Sequence, residues 1–313
     1  MNKWTNENMT MVAPLQFLAA YVSGKLSLLV ELVKFRITVL VSLTTALGYF
    51  IGTNKLTFDF IYPVIGIVLL ACASAALNQY QERYSDALMD RTKNRPIPSG
   101  KIKNVTVLMI SLALLLTGSA VLIVKTNLTT LIIGLLTFYW YNGVYTPLKK
   151  RISLAIIPGS LVGALPPLAG WAATGENIFD IKILYIALYF FVWQIPHFWL
   201  LLLVHGEDFA KGGFPLLTNR ISKKNIVKIT FLMLVVTVAI SIMIPFFKIL
   251  NFNATYILLL LLSVLMIFIA QKFLKLDLSK KEILKTFIGI NIYTLCFIIL
   301  LVFDKFIFLM FKW

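Results

Sequence analysis

The sequence predicts an all-α protein that crosses a lipid bilayer many times, and three observations predict it. Of its 313 residues, 59% are hydrophobic and only 13% charged, with a mean hydropathy of +0.88, far from the composition of a soluble domain. Several apolar runs approach or exceed the ~20 residues a helix needs to cross a hydrocarbon core. Those runs do not alternate in polarity residue by residue, which excludes a membrane β-barrel.

Nine spans are expected, at residues 30–52, 60–82, 104–124, 129–147, 154–174, 180–204, 226–247, 254–273 and 283–304. They read as one nine-helix domain over 30–313, with residues 1–29 forming a polar N-terminus and an interfacial helix. The apolar stretch Met11–Val22 is too short to span and shows no small-residue cleavage site, so it reads as lying on the membrane rather than as a removed signal peptide. Nine crossings put the termini on opposite sides. The N-terminal side collects 23 of the 29 lysines and arginines, which places the N-terminus and the even-numbered loops in the cytoplasm of an inner membrane, with the C-terminus outside. The net charge of +16 is spread between apolar runs rather than gathered on one domain, which argues against nucleic acid. Cys72 and Cys296 each fall inside a span and have no disulfide, zinc or haem-attachment spacing.

The end of the second span carries the main signal. Asn78, Glu82, Asp86 and Asp90 recur every fourth residue, so on a helix an amide and three carboxylates share one stripe. Arg91, Lys93 and Arg95 follow directly, before Pro96, which disfavours helix at the residue preceding it. A carboxylate stripe against a basic loop suits Mg²⁺ holding a phosphorylated ligand, because this ion uses few protein carboxylates and completes its shell with phosphate oxygens. An exposed helix end laced with i,i+4 charge pairs is the plain alternative.

Further along, Tyr139, Tyr141 and Tyr145 precede Lys149, Lys150 and Arg151, offering aromatic faces to a carbocation or an interfacial belt. The fifth span holds Pro158, Pro166, Pro167 and three glycines, as helices that kink beside a cavity do. The sixth holds Trp193 and His197 in W-Q-I-P-H-F-W. A histidine inside a span is costly and by default functional: it could ligate iron, orient a macrocycle or move a proton. His205-G-E-D-F-A-K-G-G-F-Pro215 then supplies Glu207, Asp208 and Lys211. Two acidic patches on one membrane face could clamp a diphosphate through magnesium.

These blocks resemble the UbiA superfamily of intramembrane aromatic prenyltransferases. N-x-x-x-E-x-x-x-D at Asn78, Glu82 and Asp86 is similar to that family's first Asp-rich motif, and M-D-R-T-K-N-R-P (89–96), G-A-L-P-P-L-A-G-W (163–171), W-Q-I-P-H-F-W (193–199) and E-D-F-A-K-G-G-F-P-L-L (207–217) are similar to its haem-modifying branch. The resemblance implies farnesyl transfer from farnesyl diphosphate to a vinyl group of haem B, giving haem O and diphosphate. It implies that Asn78, Glu82 and Asp86 hold Mg²⁺ and the diphosphate, facing Glu207 and Asp208, and that catalysis rests on Asn78, Glu82, Asp86 and Asp208. Arg36, Arg91, Arg95, Lys149 and Lys211 become candidate diphosphate partners, and His197 with Trp193 candidate haem contacts. Haem A synthase and terminal-oxidase assembly proteins are the protein partners it points to, alongside the bilayer. Two departures stand out: K-F-R at 34–36 where the family has K-P-R, and I-S-L-A at 152–155 where it has T-P-x-N. The rival readings are a quinone-pathway prenyltransferase of the same superfamily and, from another class, a secondary transporter for an anionic solute, against which the absence of an internal repeat speaks.

Overall fold

The computed structural model describes residues 26–275 and 278–311, so the expected interfacial stretch Met11–Val22 lies outside the described residues. Among the described residues there is no strand. The principal helices are α1 Phe35–Gly52, α2 Ile61–Leu88, α3 Asn104–Lys125, α4 Leu128–Tyr139, α5 Leu161–Ala172, α6 Ile181–Lys211, α7 Lys223–Ile242, α8 Asn253–Ala270 and α9 Lys280–Phe311, and the expected spans map onto them in order.

Helices α2, α3, α6, α7, α8 and α9 are long and apolar enough to cross a bilayer. The apolar stretches of α1 and α5 are shorter, Ile37–Gly52 and Ile156–Ala172. α4 is prolonged by a π-helical turn, Trp140–Tyr145, and a last α-turn, Thr146–Leu148. The chain is a multi-pass membrane protein. Only helices satisfy every backbone group internally in a span of this kind, and large apolar side chains such as Leu116, Val264 and Phe268 are exposed along the outside of the bundle.

Lipid gives no hydrophobic gain for helix association, so close packing at small residues carries it. α1 and α5 meet backbone to backbone. A Cβ on Gly48 would lie 1.8 Å from the carbonyl oxygen of Pro167, and one on Gly170 would lie 1.9 Å from that of Thr45. α1 also packs on α2 and α9, α5 on α4 and α6, and α9 on α6 and α8. Of the apolar cores that result, the largest lies mainly among α6–α9 around Tyr189, Phe190 and Phe297, and another lies around Ile67, Leu122 and Leu165 of α2, α3 and α5. A cavity opens between them, and the start of α1 with the ends of α2, α4 and α6 gather around its mouth.

Candidate active site

Asn78, Glu82 and Asp86 lie on one buried stripe of α2, at 0%, 4% and 0% exposure. The helix stops at Leu88 because Met89 turns extended, and the Thr92 hydroxyl donates to the carbonyl of Asp86 at 2.9 Å, taking up one of the acceptors a helix end leaves open. The expected four-residue stripe is therefore corrected to three. Asp90 lies past the helix, exposed, in ion pairs with Lys93 at 2.8 Å and Lys211 at 2.5 Å.

Each residue of the buried stripe faces its own cation. Lys34 Nζ donates to Asn78 Oδ1 at 2.5 Å, Lys149 pairs with Glu82, and Arg95 Nη1 donates to Asp86 Oδ2 at 2.8 Å. Asn78 is fixed from the other side, its amide donating to Thr146 Oγ1 at 3.1 Å. Lys34 sits at the cap of α1 with φ 52°, a left-handed conformation that costs a non-glycine residue and collects at functional sites. Burial, then repulsion from Arg95, pulls its pKa down to about 7. Lys149 behaves oppositely: burial works against its charge, but the Glu82 carboxylate outweighs that and its pKa is raised.

The π-turn of α4 adds to this end. It leaves the Asn142 carbonyl to accept from Gln81 Nε2 at 3.0 Å, while the Asn142 amide donates to Ser74 Oγ at 2.6 Å. Tyr141 and Tyr145 then stand 5.7 Å apart between centroids, both lining the cavity, and Lys149 lies over the Tyr145 ring at 5.5 Å. Turns of this type recur at functional sites.

The cavity measures about 550 Å³. Its mouth presents Lys34, Arg91, Arg95 and Lys149 against Glu82 and Asp86, four cations to two carboxylates, so the mouth is left short of negative charge. Its walls are apolar, with Val41, Leu70, Phe138 and Val162. Its far end holds Trp193, Gln194, His197 and Asn291. The His197 ring lies 4.8 Å from that of Trp193 and 4.9 Å from that of Phe287, with the Asn291 side chain in hydrogen-bonding reach. His197 Nδ1 and Trp193 Nε1 are buried without a hydrogen-bond partner.

The structure thus brings Glu82, Asp86, Arg91, Arg95, Lys149, Trp193 and His197 to one cavity, with Asn78 directly behind the mouth. Glu207, Asp208 and Lys211 are not among the lining residues. Asp208 instead accepts from the backbone amides of Asp90 and Arg91, because α6 loses helical geometry at His205 (φ −121°, ψ 17°) and its last turn leans on the neighbouring loop. The expectation that Glu207 and Asp208 face the α2 stripe across a metal does not match this placement. The side chain of Arg36 lies outside the described residues. The lining residues that escaped the sequence reading include Lys34, Gln194 and Asn291. Polarity within a span was the available signal for Gln194 and Asn291.

Among the described residues no group of three histidine, cysteine or acidic side chains could hold a metal by itself. The donor set at the mouth is one amide oxygen and two carboxylates, all hard, and Asp86 Oδ1 is buried with no hydrogen-bond partner. That set fits Mg²⁺ that takes its remaining ligands from phosphate and water.

Comparison with known proteins is decisive at this point: residues 39–300 match the UbiA prenyltransferase family. The chain belongs to that family. Among its curated relatives, protoheme IX farnesyltransferase of Bdellovibrio bacteriovorus is 35% identical over 286 residues, covering 89% of this chain and 96% of the relative. Those of Oleidesulfovibrio alaskensis and Geobacter sulfurreducens are 33% and 42% identical, over 59% and 49% of this chain. The chain spans 66% and 56% of the length of these last two. A digeranylgeranylglyceryl phosphate synthase structure superposes with a TM-score of 0.72 at 19% identity, covering 90% of this chain and 99% of that one. A UbiA homologue from Archaeoglobus fulgidus bound to GPP and Mg²⁺ superposes at 0.64 and 17% identity, covering 88% and 99%. At such identities the structures establish a shared UbiA fold.

Proposed function

We propose that the protein transfers the farnesyl group of farnesyl diphosphate to a vinyl group of haem B, releasing diphosphate and giving haem O. The observation that carries this is the division of the cavity: a charged mouth with four cations to two carboxylates, apolar walls, and a far end where buried imidazole and indole nitrogens have no partner. The names of the full-length Bdellovibrio relative and its counterparts supply the acceptor.

Asn78, Glu82 and Asp86 would hold Mg²⁺, which supplies charge neutralisation for the leaving diphosphate. The cations resting on those three donors, Lys34, Lys149 and Arg95, together with Arg91, are the ones a diphosphate would draw to itself. When the allylic C–O bond breaks, its electron pair leaves with the diphosphate, and these preorganised charges stabilise the transition state. Tyr141 and Tyr145 turn aromatic faces toward the position of the allylic cation. The vinyl π-electrons of haem then form the new C–C bond, and water adds to the resulting cation with loss of a proton, leaving a hydroxyethylfarnesyl side chain. Apolar walls keep other water from the allylic cation. The 23-to-6 split of basic residues supports a mouth on the cytoplasmic side of an inner membrane.

The test is mass analysis of haems after membranes containing the protein are incubated with haem B, farnesyl diphosphate and Mg²⁺. Haem O that depends on all three is the expected result. Pyrophosphate release with a quinone precursor and none with haem B would overturn the acceptor.

A further inference from the structure

Two connections meet over the mouth of the cavity, the loop after α2 and the end of α6 with the turn that follows. Both oxygens of the Asp208 carboxylate are engaged there: Oδ1 accepts from the Asp90 amide at 2.7 Å and Oδ2 from the Arg91 amide at 3.3 Å. Lys211, one turn on, donates to Asp90 Oδ2 at 2.5 Å. The Arg91 guanidinium stands 5.7 Å from the centre of the Phe209 ring. At Gly212 a Cβ would lie 3.0 Å from the Met89 side chain, so the two segments pack closely there. These contacts join the same two segments by four different chemistries.

The local backbone explains why the segments can meet. α6 departs from helical geometry at His205, which re-aims residues 206–211, and Gly213 with φ 76° turns the chain back so that Phe214, Pro215 and Leu216 line the cavity. On the other side Met89, Arg91 and Arg95 line it. The two connections together form one roof, and Asp208 is its fastening.

From this geometry we infer that Asp208 is a positioning residue: it holds the loop that carries Arg91 and Arg95 over the mouth through backbone hydrogen bonds, and does not act as a metal ligand. An arginine whose backbone is already pinned loses less freedom when it meets an anion, so the fastening preorganises the diphosphate end. The role of Arg91 and Arg95 in this inference rests on the proposed prenyl-diphosphate reading. The fastening itself does not.

The experiment uses the full chain in detergent and three readouts: hydrogen exchange of the peptide spanning residues 87–95, Mn²⁺ affinity by EPR without diphosphate, and affinity for farnesyl thiodiphosphate, a slowly ionising analogue. In Asp208→Ala, exchange of the Asp90 and Arg91 amides should rise at least ~10-fold, the scale of losing a hydrogen bond to a charged acceptor. Mn²⁺ affinity should stay within about 2-fold, while analogue affinity falls about 10-fold, as expected when preorganisation rather than a ligand is lost. Asp208→Asn keeps an acceptor oxygen and should restore much of the protection, whereas an amide would not replace a carboxylate on the metal. Asp90→Asn, which weakens the ties to Lys211 and Lys93 and leaves the Asp208 bonds in place, should loosen the same peptide less, and it serves if Asp208→Ala does not fold. Unchanged exchange in Asp208→Ala, or a ~10-fold loss of Mn²⁺ affinity that Asn fails to rescue, overturns the inference. If the wild-type protein fails to bind the analogue, the substrate reading falls, and the exchange and Mn²⁺ arms still decide the role of Asp208.

Discussion

The two ends of the cavity handle buried polarity in different ways. At the mouth the buried groups are matched by charge, Asn78 with Lys34, Glu82 with Lys149 and Asp86 with Arg95. At the far end, on another helix, His197 Nδ1 and Trp193 Nε1 are buried with no partner. A buried polar atom left unpaired costs roughly 1–3 kcal/mol, and native proteins keep few of them. The difference teaches how each end binds. At the mouth each side chain of the stripe already has a cation, and single oxygens such as Asp86 Oδ1 stay open, so a ligand there must exchange partners with the protein, which favours metal and diphosphate arriving together. The far end is unsatisfied while empty, so a ligand with polar edges relieves a cost already present. Substitutions at the two ends should therefore fail in different ways.

The largest effect is expected at the mouth. Asp86→Asn removes a carboxylate whose Oδ1 has no partner and leaves Arg95 facing an amide. Haem O formation should fall at least ~100-fold, the scale of removing one preorganised electrostatic contributor, as read by mass analysis of haems. Mn²⁺ affinity measured with diphosphate present should fall with it. Near-normal turnover would reduce the stripe to an ordinary helix end and erase the contrast.

The mouth was also the more legible end. Spacing of four on a helix runs Asn78, Glu82 and Asp86 along one face whatever the tertiary structure, and a basic loop after it needs no fold to be seen. The span positions were equally readable, because hydropathy over ~20 residues reflects the solvent itself. What escaped depends on contacts distant in sequence. Asp90 continues the spacing, but the helix ends at Leu88, so the stripe does too. Lys34 reaches Asn78 only through a left-handed turn at the head of α1. Glu207 and Asp208 were readable as acids near a basic loop, but the helical break at His205 that turns Asp208 onto backbone amides leaves no pattern in composition. Asn291 belongs to no motif and gains its place beside His197 only when α9 packs on α6.

A middle-sized effect is expected at the far end. His197→Ala removes an imidazole that packs between Trp193 and Phe287 and should lower haem affinity about 10-fold, as deletion of one buried hydrogen-bonding side chain does. Farnesyl diphosphate with Mg²⁺ should bind within about 2-fold of wild type, because the mouth keeps all its partners. Asn291→Ala should move in the same direction by less. The two affinities, titrated separately in detergent, decide the matter. Lost diphosphate affinity with intact haem affinity would merge the two ends into one site and pass the haem role to Trp193 or the tyrosines.

The smallest effect belongs to the charges outside the cavity, and it sharpens the contrast between buried and exposed pairing at the mouth itself. Asp90 has the same acidic chemistry as Asp86 but is exposed, and its hydrogen bonds to Lys211 and Lys93, with the charges of both, hold its pKa down to about 2. An unfolded aspartate titrates near ~3.9. The folded value is the lower one, so the stabilisation is fully present above the unfolded value and is lost as pH falls from about 4 to about 2. Solvent and salt screen an exposed pair, and such pairs contribute little. Asp90→Asn should therefore lower the thermal midpoint in detergent only slightly at pH 6, by about 1 °C or less on the scale of exposed ion pairs. That gap should shrink as pH falls through the window and close at its lower end, and added salt should shrink it at pH 6. A gap of many degrees, or one that persists at the acid end, would mean that Asp90 is held by more than its two lysines and belongs with the buried stripe after all.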